Sequence, residues 1–112
     1  MDQRHDKPLV WLHGEIKTPP FSPSARIAAG LLLRRLQRGE DLGMPHSRAM
    51  PSIGAGCYEL RIVDDRRSWR IVHYVTEEAI VMLHVFPKKS RKTPKRIIDV
   101  CRRRLRAFLD AS

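Results

Sequence analysis

Three consecutive segments rich in Val, Ile, Tyr and Trp, separated only by short charged turns, constrain the fold of this chain more than any other feature. They run from Cys57 to Val63, from Trp69 to Thr76 and from Ala79 to Phe86. β-Branched and aromatic residues favour strands, and turns of this length join neighbouring strands in antiparallel order. The sequence therefore predicts a three-strand antiparallel meander.

The segments before the meander predict one more strand, a helix and a loop. The apolar run Pro8 to Leu12 is typical of a short strand, which we expect to join the sheet. Ser22 or Ser24 is suited to cap the helix that follows, and that helix should end at Gly39. Segment 40–56 is punctuated by Gly and Pro and predicts a long loop. The apolar positions expected to bury the helix are Ile27, Leu31, Leu32 and Leu36.

A second helix is predicted after the meander. Pro87 ends the third strand, and Thr93-Pro94 reads as a capping residue followed by proline at the first helical position. The predicted class is therefore α+β, with an N-terminal strand and a three-strand meander, one helix after the first strand and one at the C-terminus. The apolar stripe of the second helix consists of Ile97, Ile98, Cys101, Leu105 and Phe108/Leu109.

Length and composition limit the possible classes. The 112 residues predict a single domain spanning 1–112, and the net charge of +10 calls for a polyanionic partner such as nucleic acid. No apolar run approaches the length of a membrane span and the first residues are polar, so we expect a soluble cytoplasmic protein. Two isolated cysteines and the lack of a HExxH pattern predict no disulfide framework, no metal and no cofactor.

The expected register of the first hairpin brings charged residues together. With its turn centred on Asp65 and Arg66, Arg61 lies opposite Arg70 and Glu59 lies opposite Val72. The second hairpin places Tyr74 opposite Val81, on the same face as the arginines. The more apolar opposite face is the expected core, formed by Tyr58, Leu60, Ile62, Trp69, Ile71, His73, Ile80, Met82, His84 and Phe86.

Two arginines directly opposite one another require a counter-anion. Glu59 could supply it in a structural ion-pair cluster, or a bound phosphate could supply it in a functional site. In the second interpretation Arg61 and Arg70, together with Lys88 and Lys89, would surround a phosphorane during RNA scission by a 2′-OH, a reaction that needs no metal.

Candidates for proton transfer are fewer. His84 ends a strand beside the basic loop, where an imidazole could act as a general acid or base near its ordinary pKa of about 6.5. The expected register, however, points His84 at the core. His46, in the long loop, and Tyr74, on the arginine face, are the alternatives.

The segment 88–96 carries six Lys and Arg residues in nine and leads into a helix N-terminus, which itself favours anions. We expect it to contact the phosphate backbone of RNA. The predicted RNA-binding residues are His46 and Arg48 in the long loop, Tyr74 in the meander, and Arg91, Lys92 and Lys95 in this segment.

Taken together and in this order, several short motifs resemble a known family. They are Pro45-His46-Ser47-Arg48, Tyr58-Glu59-Leu60-Arg61, Trp69-Arg70, Phe86-Pro87-Lys88-Lys89 and Lys92-Thr93-Pro94-Lys95. From about Pro8 to Phe108 the chain is similar to the phage-derived, HigB-like branch of the RelE/ParE superfamily of type II toxins.

The resemblance implies a RelE-like fold with a curved antiparallel sheet and a basic concave surface for mRNA. It implies an mRNA interferase, an endoribonuclease that acts on the ribosome and inhibits translation, with Arg61, Arg70, Lys88 and Lys89 in its RNA site. It also implies a separate antitoxin protein with a helix-turn-helix domain. Three alternatives stay open: a ParE-like gyrase poison, a basic module that binds nucleic acid or the ribosome without catalysis, and a degenerate phage relic with no activity, which only the short, proline-interrupted first half favours.

Overall fold

A computed structural model describes residues 6–65 and 67–112 of the chain. Met1–His5 and Arg66 lie outside the described residues, so part of the expected charged lead-in and of the first meander turn is not covered. The structure contains two helices, α1 (Pro23–Gln37) and α2 (Lys95–Ala111). Its five strands are β1 (Leu9–Trp11), β2 (Ser47–Ala49), β3 (Cys57–Val63), β4 (Ser68–Val75) and β5 (Ile80–Pro87).

The five strands form one sheet in the order β1-β5-β4-β3-β2, and the α+β class is confirmed. The meander β3-β4-β5 is antiparallel, with Arg61 opposite Arg70 and Tyr74 opposite Val81 as expected. Two details of the sheet differ from the prediction. The sheet was expected to be antiparallel, but β1 pairs with β5 in parallel, so the sheet is mixed. β2 adds a fifth strand inside the segment that was predicted as a loop, antiparallel to β3.

Both faces of the sheet are buried, whereas the sequence predicted a core on one face. α1 covers the predicted face, where Leu60, Ile71 and Met82 pack under it. α2 covers the other face and packs Cys101 and Leu105 into a second cluster. The sheet residues of this second cluster are Cys57, Val72, Val81, Leu83 and Phe86. The candidate functional site lies on the face of the sheet that α2 covers, at the end where charged residues are grouped.

A β-bulge in β5 overturns the expected orientation of His84. Val72 pairs with His84 but His73 pairs with Met82, so Leu83 is an extra residue between the two pairs. One extra residue reverses the alternation of side chains along the rest of the strand. His84 and Phe86 consequently lie on the arginine face and not, as predicted, in the α1 core.

α1 also buries a different stripe from the one predicted. Ser22 caps the helix by accepting a hydrogen bond from the Ala25 backbone N–H at 3.0 Å, as the sequence indicated. Leu36 is buried as predicted, but the other buried residues are Ala25, Ala29 and Leu33. Of the four predicted core positions, Ile27 and Leu31 are 59% and 64% exposed. The helix thus presents large apolar side chains to solvent.

Candidate functional site

A cavity of about 240 Å³ opens at the charged end of the α2 face. Its floor is formed by β3, β4 and the last part of β5, and its wall by segment 88–94 and the first turn of α2. Cationic side chains dominate the lining. They are Arg48, Arg61, Arg70, Lys88, Lys89, Arg91, Lys92 and Arg96, and they share the cavity with Glu59, His84, Phe86 and Thr93.

Glu59 is the negative centre of the cavity. Only 2% of this residue is exposed, and its Oε1 lies 3.4 Å from both Arg48 Nη2 and Arg70 Nε. Its Oε2 accepts a hydrogen bond of 2.6 Å from the Thr93 hydroxyl. A buried carboxylate needs such partners, because burial without them strongly disfavours the charge. The structural ion-pair cluster considered from the sequence is thus present, and it contains Arg70.

Arg61 and Arg70 have different surroundings although they lie opposite one another. Arg70 is buried, contacts Glu59 and donates a hydrogen bond of 3.1 Å to the Trp69 carbonyl. Burial is the largest cause that lowers the pKa of Arg70, and repulsion from Arg61 is the next. Arg61 is only half-buried, and its Nη1 lies 3.7 Å from Met44 Sδ. Among the described residues no carboxylate reaches salt-bridge distance of Arg61.

Segment 88–94 is attached to the sheet at both ends. The Lys88 backbone N–H donates to the Ser68 carbonyl at 2.8 Å, and the Thr93 hydroxyl reaches Glu59. The sequence predicted Thr93 as a helix cap, which is wrong, because α2 begins after Pro94 without a side-chain cap. Thr93 instead closes the segment over the ion-pair cluster. Lys88 and Lys89 are thereby held at the mouth of the cavity.

His84 lies in the cavity with one ring nitrogen already engaged. Arg104 Nη1 donates to its Nδ1 at 2.9 Å and to the Leu83 carbonyl at 2.8 Å. Burial, followed by the charges of Arg104, His13 and Arg96, lowers the pKa of His84 to about 4. The ring is therefore neutral near pH 7. Since a guanidinium only donates, Nδ1 is the acceptor and the ring proton is on Nε2, which is thus a hydrogen-bond donor.

Most residues that the sequence assigned to the site line this cavity. They are Arg48, Arg61, Arg70, His84, Lys88, Lys89, Arg91 and Lys92. His46, Tyr74 and Lys95 do not line it. His46 borders another cavity, between α1 and β3, and Tyr74 packs edge-on against Phe108 with 6.5 Å between ring centroids. Lys95 is exposed and pairs with Asp99 at 3.1 Å.

Arg104 is the site residue that sequence reasoning missed. The sequence analysis gives it no role, yet its side chain reaches back to β5. A signal was present, because Arg104 follows the buried Cys101 by three positions and Ile97 by seven. Those spacings place it beside the buried stripe of the helix.

The geometry of the cavity suits a phosphate group. Guanidinium and ammonium groups converge on it, and the first turn of α2, whose backbone N–H groups favour anions, forms part of its wall. Within residues 6–65 and 67–112, no three His, Cys, Asp or Glu side chains lie close enough together to hold a metal ion. No helix in those ranges has the length and apolar character needed to cross a membrane.

Comparison with known proteins identifies a family. No curated protein matches the chain. The family described as Phage derived protein Gp49-like (DUF891) matches residues 20–106. That match includes α1, strands β2 to β5, all of the cavity lining and most of α2. Because it covers well over half of the 112 residues, the chain belongs to the phage-derived Gp49-like family.

Proposed function

We propose that this chain is the toxin of a toxin–antitoxin pair and that it cleaves messenger RNA on the ribosome, in the cytoplasm, without a metal or other cofactor. Its activity would be held in check by a separate antitoxin protein with a helix-turn-helix domain. Membership of the Gp49-like family and the sequence resemblance to HigB-like toxins support the biological role. The cavity supports the chemistry.

One observation carries the proposal of an RNA site. Arg61, Lys88 and Lys89 border the cavity, and within the described part of the chain none of them has a carboxylate partner. Arg70, by contrast, is neutralised by Glu59. Cations held in place without a counter-ion favour a bound polyanion, since each phosphate contact releases counterions from the RNA.

In the proposed reaction the 2′-OH of a nucleotide gives its proton to water and attacks the adjacent phosphorus, and the 5′-oxygen of the next nucleotide leaves and takes a proton from water. A 2′,3′-cyclic phosphate and a 5′-OH end result. Arg61, Lys88 and Lys89 stabilise the additional negative charge of the phosphorane, which is the main contribution such a site makes. His84 donates a hydrogen bond from Nε2 to a phosphate oxygen, because its Nδ1 already accepts from Arg104.

The state of His84 also favours a second function, in which the chain binds RNA or the ribosome without cutting. A neutral imidazole with its proton on Nε2 and its Nδ1 occupied has no free nitrogen to accept the 2′-OH proton. In this case translation would be blocked by occupancy alone. The two functions differ in one observable, the appearance of new RNA ends.

Mapping of 5′ ends by primer extension tests the proposal. A defined mRNA is translated in a cell-free system with and without the purified chain, and a parallel set omits ribosomes. New ends confined to translated codons support a ribosome-dependent nuclease, and ends in both sets support a nuclease that acts on free RNA. Inhibited translation without new ends supports the binding function.

A matched pair of variants tests the assignment of the site. Arg61→Glu reverses the charge of a cavity cation that has no carboxylate partner among the described residues, whereas Arg26→Glu makes the same change at an exposed position of α1 outside the cavity. We expect Arg61→Glu to abolish cleavage and Arg26→Glu to retain it. A folded Arg61→Glu protein that cuts the same codons at the same rate would mean that the site is wrongly assigned.

A further inference from the structure

An apolar groove of about 570 Å³ lies between α1 and the outer edge of β3, on the opposite face of the sheet from α2. Leu31 and Leu32 of α1 form one wall, and Ile62 and Val63 of β3 form the other. Apart from Arg61, the residues that line the groove take no part in the proposed RNA chemistry.

The groove exists because two elements stop short of covering it. α1 turns its small residues Ala25 and Ala29 to the sheet, which leaves Leu31 64% exposed and Ile27, one turn earlier, 59% exposed. β2 pairs with β3 only as far as Leu60, and the Arg61 backbone N–H still donates to the His46 carbonyl at 2.8 Å. Beyond Arg61, no described strand pairs with β3 on that side. Val63, at this end, is 83% exposed. Large apolar side chains grouped in this way mark an interaction surface.

The rim of the groove is positively charged. Arg34, Arg35 and Arg38 continue the exposed stripe of α1 beyond Leu31, and all three line the groove. Arg34 pairs with Asp6 and Arg35 with Glu40, both in partly exposed positions where such pairs contribute little. Arg61 lines the opposite rim. An apolar floor between arginines is complementary to an amphipathic segment with leucine-like residues on one face and acidic residues beside them.

We infer that this groove docks an acidic amphipathic helix of a protein partner. A second copy of this chain fits poorly, because it would bring a like-charged rim to the same floor. RNA would match the arginines, but it would leave Leu31 and Val63 without an apolar contact. Within the proposed function the partner is the antitoxin, and the inference rests on the proposed function for this identification and for the link to RNA binding described next.

Arg61 connects the groove with the RNA cavity, since it lines both. A carboxylate of the docked helix that pairs with Arg61 would withdraw from the cavity a cation that has no carboxylate partner among the described residues. Docking at the groove therefore weakens RNA binding without covering the cavity. The groove thereby provides a route by which a protein partner reduces the activity of the site from outside it.

The test uses the full chain and two synthetic peptides. The first peptide is helical, with leucines spaced three and four residues apart and glutamates flanking them; the second has the same composition in scrambled order. Fluorescence anisotropy measures the affinity of each for wild type, Leu31→Glu, Val63→Glu and Leu109→Glu. Leu109→Glu is the matched control, because it makes the same change at an exposed apolar position of α2, away from the groove.

We expect Leu31→Glu and Val63→Glu each to weaken binding of the helical peptide about tenfold or more, and Leu109→Glu to leave it close to wild type. The scrambled peptide should bind weakly and equally to all four proteins. Saturating helical peptide should also weaken binding of a labelled RNA oligonucleotide to wild type and leave its binding to Leu31→Glu unchanged. All of these measurements are affinities, so their outcome does not depend on whether the chain cleaves RNA.

Three results would overturn the inference. Equal binding of the two peptides would mean that charge alone attracts them. Loss of RNA affinity in Leu31→Glu and Val63→Glu without peptide would make the groove an RNA surface. Sedimentation of wild type as a dimer and of Leu31→Glu as a monomer would make it an interface between copies of this chain.

Discussion

Arg61 and Arg70 face one another across the β3–β4 pair, yet among the described carboxylates only Glu59 reaches salt-bridge distance of either, and it contacts Arg70. Although the two arginines lie opposite one another, they thus have different roles. Arg70 compensates a buried carboxylate and supports the sheet, and Arg61 remains available to a ligand.

Separate effects of the two arginines on stability and binding are therefore expected. Arg70→Ala removes the buried cation beside Glu59 and leaves this carboxylate with only Arg48 and the Thr93 hydroxyl as partners, so it should lower the free energy of unfolding by about 3 kcal/mol. Arg61→Ala removes a like-charge repulsion and should change it by less than about 0.5 kcal/mol, while it weakens binding of an RNA oligonucleotide. Urea unfolding and anisotropy measure the two quantities. Equal destabilisation by both substitutions would contradict this division.

The hydroxyl of Thr93 is expected to hold the basic segment 88–94 in place. Thr93→Val keeps the shape of the side chain but removes the 2.6 Å hydrogen bond to Glu59. The unfolding free energy should fall by about 2 kcal/mol, because the acceptor is a buried charge. RNA affinity should fall as well, since Lys88 and Lys89 lose their fixed position. Ser90→Ala, which removes an exposed hydroxyl of the same segment, serves as the control, and a similar loss in both variants would argue against a role for Thr93.

The register of the hairpins could be predicted from the sequence because short turns fix it. Arg61, Arg70 and Tyr74 are paired as expected. The orientation of His84 could not be predicted, since both Leu83 and His84 suit a partly buried strand and nothing in their order reveals the extra residue between the two pairs. Because of the bulge, the register places His84 on the same face of the sheet as Arg61 and Arg70.

The buried stripe of α1 was missed for a different reason. Hydrophobicity alone favours Ile27 and Leu31 over Ala25 and Ala29, but a helix that lies close to a sheet needs small residues at the contact. Phe21, which stacks on Trp69 with 4.2 Å between ring centroids, already fills the space beside that contact. The link between Glu59 and Thr93 was equally hidden, because a contact between residues 34 positions apart depends on the packing of the whole α2 face.

Acidification is expected to destabilise the fold through His73. This residue is fully buried, and burial lowers its pKa to about 4, whereas an unfolded chain titrates near 6.5. Between these values the unfolded state binds a proton that the native state does not. The stability from this source is therefore complete above about pH 6.5 and is lost as the pH falls toward 4.

The substitution His73→Phe removes this titration and retains a flat ring against Tyr58. Between pH 7 and pH 5 its unfolding free energy should fall by about 2 kcal/mol less than that of wild type. His46→Phe, at an exposed position, is the control and should follow wild type. The measurement is urea unfolding at each pH. The same pH dependence in His73→Phe and wild type would assign the acid sensitivity to other groups.

Arg104 is expected to hold His84 in its neutral form. Arg104→Met removes the donor to Nδ1 and a nearby charge, so the pKa of His84 should rise from about 4. It should stay below about 6.5, because burial is the larger cause and remains. An NMR titration of the imidazole nitrogens measures both the pKa and the tautomer. The neighbouring variant Arg103→Met, at an exposed position, should leave the pKa unchanged. An unchanged pKa in Arg104→Met would mean that Arg104 does not bind the ring.

The salt dependence of RNA binding should report the number of phosphate contacts, whether or not the RNA is cleaved. Each contact with single-stranded RNA contributes about 0.7 to the slope of log Kd against log salt concentration. Lys89→Ala should reduce that slope by about this amount, because Lys89 is exposed at the mouth of the cavity. Lys17→Ala, which removes the same charge outside the cavity, should leave the slope unchanged while it lowers the net charge equally. Equal reductions in the two variants would mean that RNA responds to the overall charge of +10 and not to a defined site.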